Sequence, residues 1–402
     1  MFRKAVRVTV ASIMVLSLLG NRAEASLSKR ALLFKDVSAG LFTTCAIDQS
    51  DHLFCWGDNT YGGLGNGTTD ASTTPVPVGM PLTFEYIAKV DTAGYTTCAV
   101  TTAGALYCWG ANSYGNIGND TTDIQLSPVF IDGGVLAGKF VADVAVDQFN
   151  TCALTLDGMV ACWGYGDLGT NGDGTTSDRH VPVAVVGGAM AGRSATSISM
   201  GNGGVCATTS DHKLVCWGRA WSVSGGSSSS TVPKLVRTGY LRGKGTQSST
   251  VNGHICAVTT EQKLACWGAN DHGALGDGSP NMSFSPLLIN TGSLTNKLIT
   301  SVGVSGSYAS CALTTRKKVS CWGHNEFGQL GIGNTTDQPV PVAVNRGALR
   351  RAKVSKISVG MFHACAITLA GKVVCWGKND YGQLGDATIN NHSTPKPIVT
   401  VE

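Results

Sequence analysis

Fourteen cysteines carry the clearest chemistry in this 402-residue chain, because each belongs to a pair whose members are separated by nine residues. Zinc sites use other spacings, and no histidine or cysteine pair accompanies these cysteines regularly. The redox spacing Cys-x-x-Cys does not occur. The pattern therefore predicts seven local disulfides, namely Cys45–Cys55, Cys98–Cys108, Cys152–Cys162, Cys206–Cys216, Cys256–Cys266, Cys311–Cys321 and Cys365–Cys375.

The residues around each pair predict a β-hairpin that brings the two thiols together. In the second copy, two β-rich runs flank a three-residue turn that ends in Gly104, and glycine can take the left-handed conformation that such a turn needs. Cys98 and Cys108 are symmetric about Ala103, which predicts a non-hydrogen-bonded pair. Cα atoms in such a pair are about 4.5 Å apart, within disulfide range.

The hairpin is part of a longer repeat. The first cysteines of successive pairs follow one another at intervals near 54 residues, and every second cysteine is followed by Trp-Gly. An apolar run ending in glycine precedes each hairpin, and a proline-led run follows it, as in Pro341-Val-Ala-Val344. Each repeat is thus predicted to hold four strands, A to D. Seven such repeats predict an all-β fold, a seven-bladed β-propeller of four-stranded antiparallel blades over residues 34–402. One way to close the ring is to pair residues 395–401 with residues 32–38.

The N-terminus has the pattern of an export signal. Arg3, Lys4 and Arg7 precede an apolar run, and Ala23-Glu-Ala25 forms a small-residue cleavage site. We predict a signal peptide over 1–25, a short segment over 26–33, and secretion to the extracellular space, or to the periplasm or cell surface in a bacterium. The apolar run covers about 12 residues, fewer than the roughly 20 of a membrane span, and we expect no span in the mature chain. An oxidising compartment suits the predicted disulfides.

Charge is informative once it is assigned to loops. Removing the four bases and one acid of the signal from the 30 and 26 of the whole chain leaves the mature protein at a net charge of +1, so no nucleic-acid partner is expected. The loops between strands C and D hold thirteen acids and three bases: Asp58, Asp70, Asp120, Asp123, Asp167, Asp173, Asp178, Asp271, Asp277, Glu326, Asp337, Asp380 and Asp386, with Arg179, Arg219 and Lys378. Basic residues recur instead in the connections from strand D to the next strand A. This segregation predicts one acidic and one basic face.

The strings Cys321-Trp-Gly-His-Asn-Glu-Phe-Gly-Gln-Leu-Gly331 and Cys375-Trp-Gly-Lys-Asn-Asp-Tyr-Gly-Gln-Leu-Gly385 resemble the repeat of the regulator of chromosome condensation family. The first, second and fifth repeats match more loosely, and the third and fourth depart from the pattern. The resemblance covers 34–402 and implies the same propeller, with motif residues that serve the structure. It implies little about function, since members of the family do unrelated things.

The sequence favours a binding protein over an enzyme, because it contains no nucleophile elbow, phosphate loop or zinc-protease motif. We expect no cofactor and no metal. The favoured function is a secreted, monomeric protein-binding module, acting as an inhibitor, adhesion protein or scaffold; a secreted β-lactamase inhibitor of similar fold illustrates the first of these. One alternative is a lectin-like glycan binder that uses the aromatic loop positions Tyr61, Tyr114, His272, Phe327 and Tyr381. Guanine-nucleotide exchange with chromatin binding, as in the namesake of the family, is disfavoured by the signal peptide and the disulfides.

Two further sets of residues are candidates for function. The irregular third and fourth repeats suggest a partner-binding site at Trp221, Arg219, Tyr165 and Arg179, since interface anchors are enriched in Trp, Tyr and Arg; decay of the repeat is the alternative. Five Asn-x-Ser/Thr sequons are predicted glycosylation sites if the source is eukaryotic: Asn66, Asn119, Asn281, Asn334 and Asn391.

Overall fold

The computed structural model describes residues 32–219 and 229–400. Within these ranges the chain forms seven antiparallel sheets, each built from four strands that are consecutive in the sequence. This is the predicted seven-bladed propeller. The proposed signal peptide lies outside the described residues. No helix found in the described ranges has the length and apolar character that crossing a membrane requires.

The strands occupy equivalent positions in every repeat. The A strands are β1 (Phe34–Ala39), β5 (Ile87–Ala93), β9 (Val141–Val146), β13 (Ala195–Gly201), β17 (Thr246–Asn252), β21 (Ile299–Val304) and β25 (Val354–Val359). The B strands are β2 (Thr43–Asp48), β6 (Thr96–Thr101), β10 (Asn150–Thr155), β14 (Gly204–Thr209), β18 (His254–Thr259), β22 (Ala309–Thr314) and β26 (His363–Thr368). The C strands are β3 (Leu53–Gly57), β7 (Leu106–Gly110), β11 (Val160–Gly164), β15 (Leu214–Gly218), β19 (Leu264–Gly268), β23 (Val319–Gly323) and β27 (Val373–Gly377). The D strands are β4 (Ser72–Pro77), β8 (Gln125–Phe130), β12 (Arg179–Ala184), β16 (Ser230–Leu235), β20 (Ser283–Leu288), β24 (Gln338–Ala343) and β28 (His392–Pro397).

Burial explains the composition of the strands. Every residue of the B strands is buried, because each B strand lies inside its sheet and that sheet packs between two others. Strand A forms one edge of each sheet and strand D the other. The D strands are mostly half-buried or exposed. Each contains a proline at its fourth position, which an edge strand tolerates because one side of its backbone has no ladder to join.

All seven predicted disulfides are present. In each hairpin the two cysteines are direct cross-strand partners, and their Cα atoms are 4.0–4.1 Å apart. Gly104 takes the predicted left-handed conformation, with φ of 83°. Four repeats place a residue other than glycine at this turn position, also at positive φ: Asp51, His212, Gln262 and Lys317.

A hydrogen bond from the indole of the Trp-Gly motif joins six of the seven blades to the blade before it; among the described residues the fifth blade, with Trp267, lacks it. Trp109 Nε1 and Thr97 Oγ1 both donate to the carbonyl oxygen of Gly63 in the preceding blade, at 2.9 and 3.0 Å. The motif glycine next to this contact, Gly65, has φ of +67°, and a Cβ there would lie 2.5 Å from Trp109 Nε1. The tryptophan of the Trp-Gly motif in one blade therefore packs against the last glycine of the loop motif in the preceding blade.

The predicted pairing of residues 395–401 with residues 32–38 is wrong. β28 pairs with β27 and β1 pairs with β2, so the first and last blades share no strand among the described residues. The reason is geometric: the A strands face one another around the centre, where β1 contacts β5 and β25, whereas each D strand lies at the opposite edge of its sheet. The ring closes by packing blade against blade.

Candidate functional site

The turns between strands A and B and the loops between C and D emerge on one face, which we term the aromatic face. Here an aromatic ring from the C–D loop of one blade contacts a ring from the A–B turn of the next. The centroid distances are 4.7 Å for Tyr61–Tyr95, 5.1 Å for Tyr114–Phe149, 6.1 Å for His272–Tyr308, 5.6 Å for Phe327–Phe362 and 4.8 Å for Tyr381–Phe42. The aromatic loop positions of the sequence motif thus form a row of pairs that bridge the junctions.

These rings are partly available to a partner. Tyr61, Phe149 and Tyr381 are 39%, 39% and 41% exposed. The ammonium group of Lys378 lies 4.7 Å from the centroid of the Phe327 ring and 5.3 Å from that of Phe362. These distances are typical of cation–π interactions, so Lys378 interacts with the aromatic rings. The rings pack on one another through part of their surface and present the remainder to solvent.

The motif asparagine braces the C–D loop that holds these rings. Asn325 Nδ2 donates to the carbonyl oxygens of Asn334 and Thr336, both at 3.0 Å, and its Oδ1 accepts from the backbone N–H of Leu330. The same three bonds recur at Asn59, Asn112 and Asn270, and Asn379 makes two of them, to the carbonyl oxygen of Thr388 and from the backbone N–H of Leu384. The motif residues therefore have a structural role, as the sequence predicts.

The aromatic face is acidic. Eight of its carboxylate residues are exposed: Asp70, Asp120, Asp123, Asp167, Asp178, Asp271, Glu326 and Asp380. Its bases are engaged locally, since Lys378 also approaches Asp380 at 3.2 Å and Arg179 forms two bonds to Asp173 Oδ2 at 2.6 and 2.7 Å. Partial burial alone would raise the pKa of Asp173, but two hydrogen bonds from Thr175 and the contact with Arg179 together outweigh it and lower the pKa. The surface thus combines half-exposed aromatic rings with unneutralised negative charge.

Three of the four predicted anchor residues lie on this face, and each is bonded to a different side chain. Tyr165 donates to Asp167 Oδ2 at 3.1 Å, which raises the pKa of the phenol, and its ring lies 4.8 Å from that of Tyr114. Arg219 Nη1 donates to Asn202 Oδ1 at 2.9 Å. Arg179 is held by Asp173, as described above. Trp221 lies outside the described residues, and the four-residue site stays a prediction.

The sequon asparagines also belong to these loops. Oδ1 accepts a hydrogen bond from within the loop at Asn66, Asn119, Asn334 and Asn391.

The opposite face, formed by the B–C turns and D–A connections, has a different charge pattern. At three junctions a base after the D strand pairs with an acid of the next B–C turn: Lys139 with Asp157 at 2.7 Å, Arg193 with Asp211 at 3.4 Å, and Lys244 with Glu261 at 2.9 Å. At the next junction the turn carries Arg316, Lys317 and Lys318 in place of the acid. The predicted basic face is thus neutralised over the third to fifth blades and concentrated at the sixth and seventh, where Arg346, Arg350 and Arg351 are also exposed.

The A strands line a central channel of about 540 Å³. Its charged groups are largely paired: Lys356 contacts Asp36, and Asp91 accepts from Ser38 Oγ and from the backbone N–H of Val146, both at 2.8 Å. Burial raises the pKa of Asp91 to about 6, although the two hydrogen bonds lower it. Most of the charged lining of the channel is thus bonded within the protein, so the aromatic face is the stronger candidate for recognition.

One arrangement on the aromatic face was not predicted. His272 occupies an aromatic position of the motif, and the fold places it beside His324 and Asp337 of the next blade. The available signals were a histidine in place of the usual aromatic residue and a second histidine directly after a Trp-Gly. The sequence does not show that these residues are close, because they come together only when the two neighbouring blades pack side by side.

Comparisons with known proteins agree with this architecture. Two family models, both described as the regulator of chromosome condensation (RCC1) repeat, match the chain. The first matches residues 34–62, 87–116, 299–329 and 354–383, and the second 50–100, 103–154, 318–367 and 370–402. Together they cover more than half of the sequence.

Among curated relatives, the ultraviolet-B receptor UVR8 of Arabidopsis thaliana is 29% identical over 90% of this chain and 81% of its own length. The human E3 ubiquitin-protein ligase HERC2 is 28% identical over 90% of this chain, which spans only 6% of HERC2. Two solved structures are similar in fold: human WBSCR16, with a TM-score of 0.73 and 20% identity over 84% of this chain and 87% of its own, and Saccharomyces cerevisiae Prp20p, with a TM-score of 0.74 and 19% identity over 92% and 88%. At these identities the solved structures support the fold alone.

Proposed function

The chain belongs to the regulator of chromosome condensation (RCC1) repeat family, and from that premise we propose that it is a secreted, non-enzymatic protein-binding propeller that holds a cationic protein surface against its aromatic face. Propellers of this family are binding modules. Prp20p, for example, binds Gsp1p and histones. The observation that carries the proposal for this chain is the row of half-exposed aromatic pairs among unneutralised carboxylates.

The two components of the aromatic face have separate roles in this proposal. Aromatic residues are enriched among the anchors of protein interfaces, because they bury a large area at a small cost in conformational entropy. The exposed acids raise the rate of encounter with a positively charged partner and disfavour an acidic one. Because exposed charges are screened by salt, association is expected to weaken as ionic strength rises.

The packing of the rings favours a protein over a glycan. A sugar stacks on an aromatic ring whose face is open, whereas Tyr61, Tyr114 and Tyr381 are each in contact with a ring of the next blade. Their exposed edges suit the mixed aromatic and polar contacts of a protein interface.

Secretion is part of the proposal and rests on two features of the chain. Residues 1–25 have the composition of a signal peptide, and the mature propeller then follows over 34–402. All fourteen cysteines are paired in disulfides, which persist in extracellular or periplasmic space and are rare in the cytosol.

The test uses matched charge reversals on the two faces. Mature protein from an oxidising host is immobilised and exposed to the native extracellular fraction, and the captured protein is then purified for titration. Asp120→Lys with Asp123→Lys alters the aromatic face, and Arg350→Glu with Arg351→Glu alters the opposite face. We expect the first variant to bind at least tenfold more weakly and the second to bind like the wild type. Equal binding by both variants, or elution by free monosaccharide, would contradict the proposal.

A further inference from the structure

We propose that His272, His324 and Asp337 form a binding site for one Zn²⁺ ion on the aromatic face, at the junction between the fifth and sixth blades. The site is independent of the proposed protein partner, because all three groups come from this chain. One possible ligand atom from each residue lies within 4.8 Å of the other two.

The geometry gathers the three groups tightly. His272 Nδ1 lies 2.6 Å from Asp337 Oδ2, and the centroids of the two imidazole rings are 4.1 Å apart. The side chains of His272 and Asp337 are 41% and 40% exposed, so an ion can reach them from solvent, whereas His324 is 15% exposed and closes the inner side.

The backbone holds each group in place. His272 has φ of 59°, a left-handed conformation, and its ring stacks 6.1 Å from that of Tyr308. His324 is the first residue after β23, and Asp337 is the last before β24. The backbone N–H of Asn325 donates to Asp337 Oδ1 at 2.8 Å, which orients the carboxylate and directs Oδ2 at His272. Two strands and one neighbouring loop thus position the three groups before any ion binds.

His324 has weak competing partners. Its Nε2 is 3.7 Å from Glu326 Oε2, and its Nδ1 is 3.3 Å from Gln329 Nε2. Both contacts are longer than a good hydrogen bond. The ring is therefore free to exchange one of them for a metal–nitrogen bond.

The ligand set selects the class of ion. Two imidazoles and one carboxylate are a zinc ligand set, whereas Mg²⁺ and Ca²⁺ prefer oxygen ligands alone. Three protein ligands leave a position for water or for the nearby Glu326 carboxylate. Zinc bound by His272 Nδ1 and Asp337 Oδ2 would replace the contact that joins these two atoms without metal. The neutral imidazole would then carry its single proton on Nε2, so the exchange needs no net loss of a proton.

Comparison within the molecule supports a specific site. Equivalent loop positions in other blades hold Tyr61 or Phe327 in place of His272, and Ala111 or Lys378 in place of His324. The seventh blade contains a similar pair, in which His392 Nε2 lies 2.7 Å from Asp386 Oδ2. Within the part of the chain that the structure describes, no second histidine joins that pair. It is therefore a natural control for a histidine–aspartate contact that should not hold zinc.

The experiment measures metal binding directly. Untagged mature protein is freed of metal with chelator and titrated with ZnCl₂ by calorimetry at pH 7.5 in two buffers of different ionisation enthalpy, and separately with MgCl₂. We expect one Zn²⁺ per chain, with the same stoichiometry in both buffers, and no saturable Mg²⁺ binding. His324→Ala should weaken zinc binding at least tenfold, and His392→Ala should leave it unchanged.

Asp337→Asn is the second variant, because its amide oxygen can still accept from Asn325 N–H and preserve the loop. It should also weaken zinc binding at least tenfold while the melting temperature without metal stays near that of the wild type. Absence of stoichiometric zinc binding, or equal loss in His324→Ala and His392→Ala, would overturn the proposal.

Discussion

Trp56 in the first blade donates from Nε1 to the carbonyl oxygen of Gln383 in the last blade, at 3.0 Å. Thr44 Oγ1 donates to the same carbonyl oxygen at 2.8 Å. Among the described residues, three junctions inside the chain have the same pair of contacts, for example from Trp322 and Ser310 to the carbonyl oxygen of Ala274. The closing junction is thus chemically equivalent to junctions inside the chain.

This equivalence predicts a large effect of one methyl group at the closing junction. Gly385 has φ of +70°, and a Cβ there would lie 2.7 Å from Trp56 Nε1. Gly138 has φ of +68° with nothing within 4 Å of its Cβ position. Both alanine variants pay about 1–2 kcal/mol for the left-handed conformation. Gly385→Ala adds overpacking of about 1–3 kcal/mol. Urea unfolding of the two variants measures the difference; equal losses would mean that the indole moves aside freely.

The hairpin turns predict a stabilising substitution. Gln262 has φ of 60° at the turn position that Gly104 and Gly158 occupy in other blades. Gln262→Gly should raise the free energy of unfolding by about 1 kcal/mol, because it removes left-handed strain from a residue that has a Cβ. Gln262→Ala retains the Cβ and should bring no such gain. A Gln262→Gly variant that melts at or below the wild-type temperature would count against this explanation.

Each disulfide should contribute separately to stability. Cys365 and Cys375 face each other inside the last blade, where both are buried. Replacing both with alanine should cost about 2.5–3 kcal/mol by loop entropy. The double variant is compared with the wild type by urea unfolding without reductant. Mass spectrometry of the intact wild type should show fourteen fewer hydrogens than the fully reduced chain, and free thiols in the secreted protein would contradict full pairing.

Two buried histidines predict sensitivity to acid. Burial lowers the pKa of both His254 and His363 from 6.5 to about 3. The unfolded chain therefore binds protons first as pH falls, so stability is fully present above about pH 6.5 and is lost progressively toward pH 3. For each histidine, the free energy of unfolding should fall by about 1.6 kcal/mol between pH 6.5 and pH 5.

The contribution of one histidine can be separated by substitution. His363→Asn introduces the residue that Asn150 supplies at the same position of the third blade. Between pH 6.5 and pH 5, the His363→Asn variant should lose about 1.6 kcal/mol less stability than the wild type. The exposed His212→Asn is the control. A slope unchanged by His363→Asn would assign the acid sensitivity to other groups.

The irregular fourth blade gives a prediction about recognition. If Trp221 anchors a partner, Trp221→Ala should weaken binding of the captured protein by tenfold or more without lowering the melting temperature. Arg179→Ala is a useful comparison. Because Arg179 is bonded to Asp173, this variant should lower the stability of the loop as well as weaken binding. A large fall in the melting temperature of Trp221→Ala would make this tryptophan part of the core.

The fold could be predicted from sequence because its determinants are local. The spacing of Cys98 and Cys108 sets the register of a hairpin, and seven copies of that hairpin leave little choice of architecture. Ring closure stayed open in the sequence, and the pairing suggested for it is wrong, because closure depends on whole sheets packing face to face, which strand patterns do not encode. The cluster of His272, His324 and Asp337 was missed for a related reason: its members meet only after two blades are placed side by side. The charges of the opposite face could be assigned to loops, but the pairing of Lys244 with Glu261 could not.

Because every sheet is built from consecutive strands, each D–A connection links two finished blades, and the order in which the chain visits the blades is arbitrary. A circular permutant that joins residue 400 to residue 33 through a short linker and opens at the connection containing Gly138 would keep every strand pair and every disulfide. By the same logic, each repeat of the sequence encodes a complete blade with its own disulfide. The protein is therefore modular in sequence as well as in structure, and its termini could lie at any of the D–A connections without breaking a sheet.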